Sequence, residues 1–130
     1  MRSGSRVAAT ALLLAAALAC GSDAPDDGRC EETLTFAITS GINPTFGWSP
    51  NCSIAQLRVT RDSDDAEIWS FLASSNAIRP PVAYGQVPVG ANETNPPETL
   101  TFGAGYTLRI AILDSETGLL LVAGSEPFVP

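Results

Sequence analysis

The sequence contains neither histidine nor lysine, and these absences restrict its chemistry. Histidine is the commonest general acid–base residue, and lysine is one of the few side chains that act as covalent nucleophiles. All seven cationic residues are arginines, and they stand against 14 acidic residues. Nucleic acids bind to cationic surfaces, so this acidic balance argues against a nucleic-acid partner.

Residues 1–19 have the pattern of a secretory signal peptide. Arg2 and Arg6 give a positively charged start, and the following residues 7–19 are apolar apart from Thr10. A bilayer span needs about 20 apolar residues, so this run is too short for a retained transmembrane helix. We therefore predict export, with residues 1–19 removed. Five arginines then remain beside 14 acidic residues, a net charge of −9.

The four residues Ala-Leu-Ala-Cys that end at Cys20 resemble the lipobox of bacterial lipoproteins. The resemblance implies cleavage before Cys20, a diacylglycerol thioether on its sulfur and attachment to the cell envelope through acyl chains of the palmitate class. Gly21, where some family members have aspartate, implies the outer membrane if the cell is Gram-negative. The small residues before Cys20 also satisfy the ordinary signal peptidase, and that alternative stays open. Residues 20–29 form an acidic segment that we interpret as a flexible tether.

Cys30 and Cys52 are then an even pair in an oxidising compartment, which predicts a disulfide. Apolar residues alternate with small or polar ones on either side of a turn-rich segment at residues 39–44. An antiparallel register with the two cysteines opposite each other places Phe36 opposite Phe46 and Leu34 opposite Trp48. All these side chains then share one face.

Beyond the leader the chain has the pattern of an all-β protein. About seven short strands alternate with turns, and no segment has a sustained helical period. We predict one antiparallel β-sandwich domain over residues 30–130, made of two sheets. We predict that residues 80–85 form an edge strand or an extended segment, because their two prolines cannot donate to a strand ladder. Residues 86–99 are predicted to be a long loop, and residues 119–123 the last main strand.

Three features of this segment resemble the fibronectin type III family. They are a tryptophan at the end of the second strand (Trp48), an apolar pair in the third strand (Leu57 and Val59), and a leucine six residues before a tyrosine (Leu100 and Tyr106). The resemblance implies an immunoglobulin-like sandwich. It also implies that the Tyr106 hydroxyl bonds to nearby backbone.

The residues offer two candidate ligand sites. Trp69, Phe71 and Tyr84 could form an aromatic platform for sugar rings, although Trp69 and Phe71 share one strand face and equally fit a core. The acidic cluster at residues 62–67 lacks the glycine and distal glutamate of a calcium loop, and we interpret it as a solvated turn. We therefore predict no metal and no cofactor.

The sequence favours a non-catalytic envelope lipoprotein whose domain has an interaction or structural role. Its partners would be the membrane, through the lipid, and an envelope protein or polysaccharide. One alternative is a carbohydrate-binding module. The other is a hydrolase that uses paired carboxylates, the only acid–base groups that remain if both other cysteines are bridged.

Overall fold

The computed structural model describes residues 28–130, and every regular element in this range is a β-strand. No helix among these residues is long and apolar enough to cross a membrane. The eight strands are β1 (Thr35–Ile38), β2 (Thr45–Ser49), β3 (Gln56–Arg61), β4 (Ala66–Ala73), β5 (Val82–Ala83), β6 (Ala91–Asn95), β7 (Tyr106–Leu113) and β8 (Leu120–Phe128).

The strands form two antiparallel sheets, so the predicted all-β sandwich is confirmed. One sheet has the order β1-β2-β5, and the other has the order β6-β4-β3-β7-β8. The prediction for residues 80–85 is confirmed, since β5 lies at a sheet edge. The prediction of one long loop over residues 86–99 is wrong, because Ala91–Asn95 pairs with β4 as a further strand.

The register of the first hairpin differs from the prediction by two residues. Phe36 lies opposite Trp48 and Ile38 opposite Phe46, whereas the prediction placed Phe36 opposite Phe46. A shift of two residues keeps every side chain on its predicted face, because side chains alternate with a period of two. The cysteines lie outside this ladder, where an isolated parallel bridge pairs Arg29 with Ser53.

The inner faces of the two sheets enclose one apolar core. Phe46 and Trp48 from the smaller sheet pack against side chains of β3, β4 and β7, and most of these residues are fully buried. The Trp48 indole N–H donates to the Cys52 carbonyl at 2.9 Å, so the core tryptophan also satisfies the backbone beside the disulfide.

A tyrosine corner fixes the segment that enters β7. The hydroxyl of buried Tyr106 accepts a hydrogen bond from the backbone N–H of Thr101 at 2.9 Å, as the resemblance implied. Leu100 is also buried beneath this crossover. The corner therefore holds the end of the β6–β7 connection against the core.

The strands run between two ends of the sandwich. The N-terminal pole holds Gly28, the disulfide and the β7–β8 turn at residues 114–119; the guanidinium of Arg29 donates to the Ser115 hydroxyl there at 3.2 Å. The distal pole holds the β3–β4 turn and the C-terminus, and Gly103 N–H donates to the Pro130 carbonyl at 3.5 Å. β8 starts at the first pole and ends at the second.

Candidate interaction edge at the N-terminal pole

The Cys30–Cys52 disulfide is present. The two Cα atoms are 4.9 Å apart, and both side chains are buried at the N-terminal pole. The bridge joins the segment before β1 to the segment after β2, which attaches residues 29–32 to the end of the sandwich. Cys20 and the predicted signal peptide lie outside the described residues.

The proposed aromatic platform is wrong as a surface site. Trp69 and Phe71 are both 0% exposed, because β4 lies inside its sheet and turns these rings toward the core. Their ring centroids are 5.4 Å apart, and the Tyr84 ring lies 5.2 Å from Trp69 in an edge-on contact. The core interpretation of Trp69 and Phe71 is therefore the correct one.

Tyr84 occupies a half-buried position between the sheets. Its hydroxyl donates to the Glu98 backbone carbonyl, and burial raises the pKa of Tyr84 to about 12. Burial therefore favours the protonated form of the phenol. This residue thus ties β5 to the connection that precedes β7, and its ring is part of the packing rather than an open surface.

The acidic cluster of the β3–β4 turn is a network of surface ion pairs. Arg61 contacts Asp64 at 2.9 Å and Glu98 at 3.1 Å, and Thr107 donates to Asp62 at 2.6 Å. The hydrogen bond from Arg61 lowers the pKa of Asp64. Within residues 28–130, no group of three or more His, Cys, Asp and Glu side chains is placed to hold a metal ion.

A groove lies at the N-terminal pole, and we call it the edge groove. Its volume is about 540 Å³. One wall is the segment 29–32, and the other is the start of β8 with the β7–β8 turn. The lining residues are Arg29, Glu31, Glu32, Asp114, Glu116 and, at the apolar side, Ile112, Leu121 and Val122.

Comparison with known proteins gives no match. No family model, no curated protein and no solved structure matches this chain. The candidate site therefore depends on the geometry of the described residues alone.

The start of β8 is the most apolar exposed segment of the domain. Leu119 is 62% exposed and Val122 is 69% exposed, and Leu120 and Leu121 between them are also exposed. β8 lies at the end of its sheet and pairs with β7 only. Large apolar side chains on an unpaired sheet edge are the usual features of a docking surface or of an aggregation-prone edge.

The β7–β8 turn presents this segment in a defined geometry. Asp114 N–H donates to the Leu119 carbonyl and Gly118 N–H donates to the Asp114 carbonyl, both at 2.8 Å. Gly118 has φ of +69°, a left-handed conformation that glycine adopts without strain. Glu116 N–H donates to the Asp114 carboxylate at 2.9 Å, and this bond lowers the pKa of Asp114.

The sequence prediction named residues 119–123 as a strand and missed them as a site. Four consecutive large apolar residues without polar alternation were the available signal, since a strand with one solvated face alternates. A strand buried on both faces gives the same pattern. Only the sheet order shows that this strand lies at an edge.

Proposed function

We propose that this chain is a lipid-anchored interaction module of the bacterial cell envelope, with no catalytic role of its own. The observation that carries the interaction role is the exposed apolar segment from Leu119 to Val122 on the unpaired edge of β8. The lipobox-like sequence at Cys20 supports the anchor, and the lipid would be attached about ten residues before the domain.

The chemistry of the described side chains supports a non-catalytic role. Cys30 and Cys52 are joined in a disulfide, so neither offers a thiolate, and the chain has no histidine or lysine. A carboxylate that acts as a general acid at neutral pH needs a raised pKa. The two carboxylates with a resolved shift, Asp64 and Asp114, have lowered pKa values instead.

The position of the anchor relative to the edge supports a role near the membrane. The first described residue, Gly28, lies at the N-terminal pole, and so does the start of β8. The predicted tether of about ten residues would reach roughly 17–19 Å on average. The apolar edge would therefore face the narrow zone between the domain and the membrane surface.

The anchor is tested by metabolic labelling with palmitate in a bacterial host. We expect label on the wild-type chain and none on Cys20→Ala, whereas a Cys30→Ser/Cys52→Ser control should keep the label. Mass spectrometry of the mature N-terminus should show a modified cysteine. Label that persists in Cys20→Ala, or an unmodified Cys20 in the mature protein, would contradict the anchor.

A further inference from the structure

The two halves of β8 differ in how they meet solvent. The second half contains Glu126 and Pro127, a charge and a proline, which are two of the features that keep an edge strand from pairing with another chain. A bulge at Ala123 separates this half from the first, because Val122 lies opposite Ala111 and Gly124 lies opposite Ile110. The first half, Leu120–Val122, has none of these protections.

The unprotected half lies beside a cluster of negative charge. The edge groove is lined by the carboxylates of Glu31, Glu32, Asp114 and Glu116 and by one guanidinium, that of Arg29. Arg29 is already paired with Glu31 at 2.7 Å. A segment that entered the groove would therefore meet apolar side chains on one wall and an excess of carboxylates around it.

We propose that the first half of β8 accepts an extended segment of a basic partner protein by β-strand addition. Main-chain hydrogen bonds would form along Leu120–Val122, and apolar side chains of the segment would cover Leu120 and Val122, which share one face of the strand. Arginine or lysine side chains of the segment would lie near Glu32 and Glu116. This proposal rests on the interaction role proposed above and adds the chemistry of the partner.

Charge disfavours the other occupants of this edge. A second copy that paired antiparallel through the first half of β8 would bring the acidic β7–β8 turn of each copy, with Glu116, toward Glu126 of the other copy, at a like-charge cost. The acidic groove is also repelled by anionic lipid headgroups. Residues 20–27 of the chain itself carry Asp23, Asp26 and Asp27 and no basic residue, so they do not complement the groove.

The binding test uses the full-length, disulfide-bonded protein in nonionic detergent and fluorescent synthetic peptides. The probe is a peptide of alternating arginine and valine, and its matched control alternates glutamate and valine. A third peptide keeps the basic sequence but is N-methylated at alternate residues, which removes the strand-pairing donors. Fluorescence anisotropy should detect binding of the first peptide and at least about tenfold weaker binding of the other two.

Two exposed valines provide a matched pair of variants. Val122→Lys places a positive charge on the open edge and should weaken binding of the basic peptide by about tenfold or more. Val129→Lys makes the same change at the distal pole, where Val129 is also exposed, and should leave binding unchanged. Hydrogen exchange should show peptide-induced protection at Leu120–Val122. Equal binding to both variants would overturn the proposal.

The charge contribution is tested by a second pair. Glu32→Gln/Glu116→Gln should weaken binding and flatten its salt dependence, whereas Asp65→Asn in the distal turn should change neither.

Two other outcomes would identify a different occupant of the edge. A dimer of the wild-type chain that Val122→Lys dissociates would overturn the proposal in favour of a second copy. Binding of Cys20→Ala protein to phosphatidylglycerol vesicles that Val122→Lys abolishes would overturn it in favour of the membrane. Palmitate labelling tests the anchor separately. If the basic peptide does not bind but the label is present, the proposed partner is wrong and the proposed lipid anchor still stands.

Discussion

The larger sheet ends in two edge strands of opposite character, β6 and β8. β6 is short and polar, and its flanks contain Pro88, Pro96 and Pro97. β8 is the longest strand, and its first half is apolar and exposed. Each of these strands has a row of backbone N–H and C=O groups with no neighbouring strand to bond to, because each lies at an edge of the sheet.

β6 is attached to its own sheet through side chains as well as backbone. Glu93 accepts from the Trp69 indole at 3.2 Å, the Thr94 and Ser70 hydroxyls lie 2.6 Å apart, and Asn95 donates to the Glu67 carbonyl at 2.6 Å. The first half of β8 has no comparable polar side chain. A polar edge can thus be completed by the chain itself, whereas the apolar edge remains available to another chain.

The largest expected effect tests the attachment of β6 to the core. Trp69→Ala should lower the free energy of unfolding by about 3–5 kcal/mol, because it leaves a cavity in the core and removes the partner of Glu93. Trp69→Phe, which keeps a ring but loses the indole N–H, should cost less. Urea unfolding followed by circular dichroism measures both. A loss below about 1 kcal/mol in Trp69→Ala would contradict a core role.

The second prediction concerns the opposite edge. Cys30→Ser/Cys52→Ser should lower the free energy of unfolding by about 3 kcal/mol, since the disulfide joins two residues that lie 22 positions apart in the sequence and closes the loop between them. Cys20→Ser is the control and should leave unfolding unchanged. Because the disulfide holds the 29–32 wall of the edge groove, amide exchange should rise near Cys30 and stay constant in β6. Equal rises in both places would show that the two edges are not independent.

Sequence patterns were sufficient to predict which face of the first two strands is buried and which two cysteines form the disulfide. The alternation around Phe36 and Phe46 defines one apolar face, and that face is the buried one. The same alternation cannot separate two registers that differ by two residues, since both bury the same side chains. The hydrogen bonds of the hairpin loop select one of the two registers. The Thr39 N–H donates to the Thr45 carbonyl, and the Thr39 hydroxyl accepts from the Thr45 N–H across the turn.

The two edges were not predictable for different physical reasons. β6 has no apolar alternation, and its pairing with β4 depends on polar contacts such as that of Asn95 with Glu67, which are distant in sequence. β8 was expected as a strand, but whether Leu120–Val122 is covered depends on the order of strands in the sheet. A single sequence carries little information about such long-range neighbours.

The third prediction concerns a substitution that weakens the attachment of β6 to its sheet without changing the core. Asn95→Ala removes the hydrogen bond to the Glu67 carbonyl and should cost about 1 kcal/mol of unfolding free energy. Asn92→Ala, on an exposed side chain of the same strand, is the control and should cost less than about 0.5 kcal/mol. Hydrogen exchange should increase in β6 of Asn95→Ala and remain unchanged in β8. If the two substitutions lower the unfolding free energy equally, the Asn95 side chain does not contribute to the attachment of β6 to β4.

The smallest expected effect is a pH dependence in the turn that presents β8. The hydrogen bond from Glu116 N–H lowers the pKa of Asp114 below its usual 3.8, so the ionised carboxylate is favoured in the folded state. Its contribution to stability is therefore present above about pH 4 and is lost as the pH falls through the folded-state pKa. Asp114→Asn should flatten the acid side of the stability profile slightly, measured by thermal unfolding from neutral to acidic pH. The β7–β8 amides should show the change and those of β6 should not, because β6 lies at the far edge of the sheet from this turn. Parallel pH profiles for wild type and Asp114→Asn would mean that the carboxylate does not stabilise the turn, and that the open edge is held in place by the β7 ladder alone.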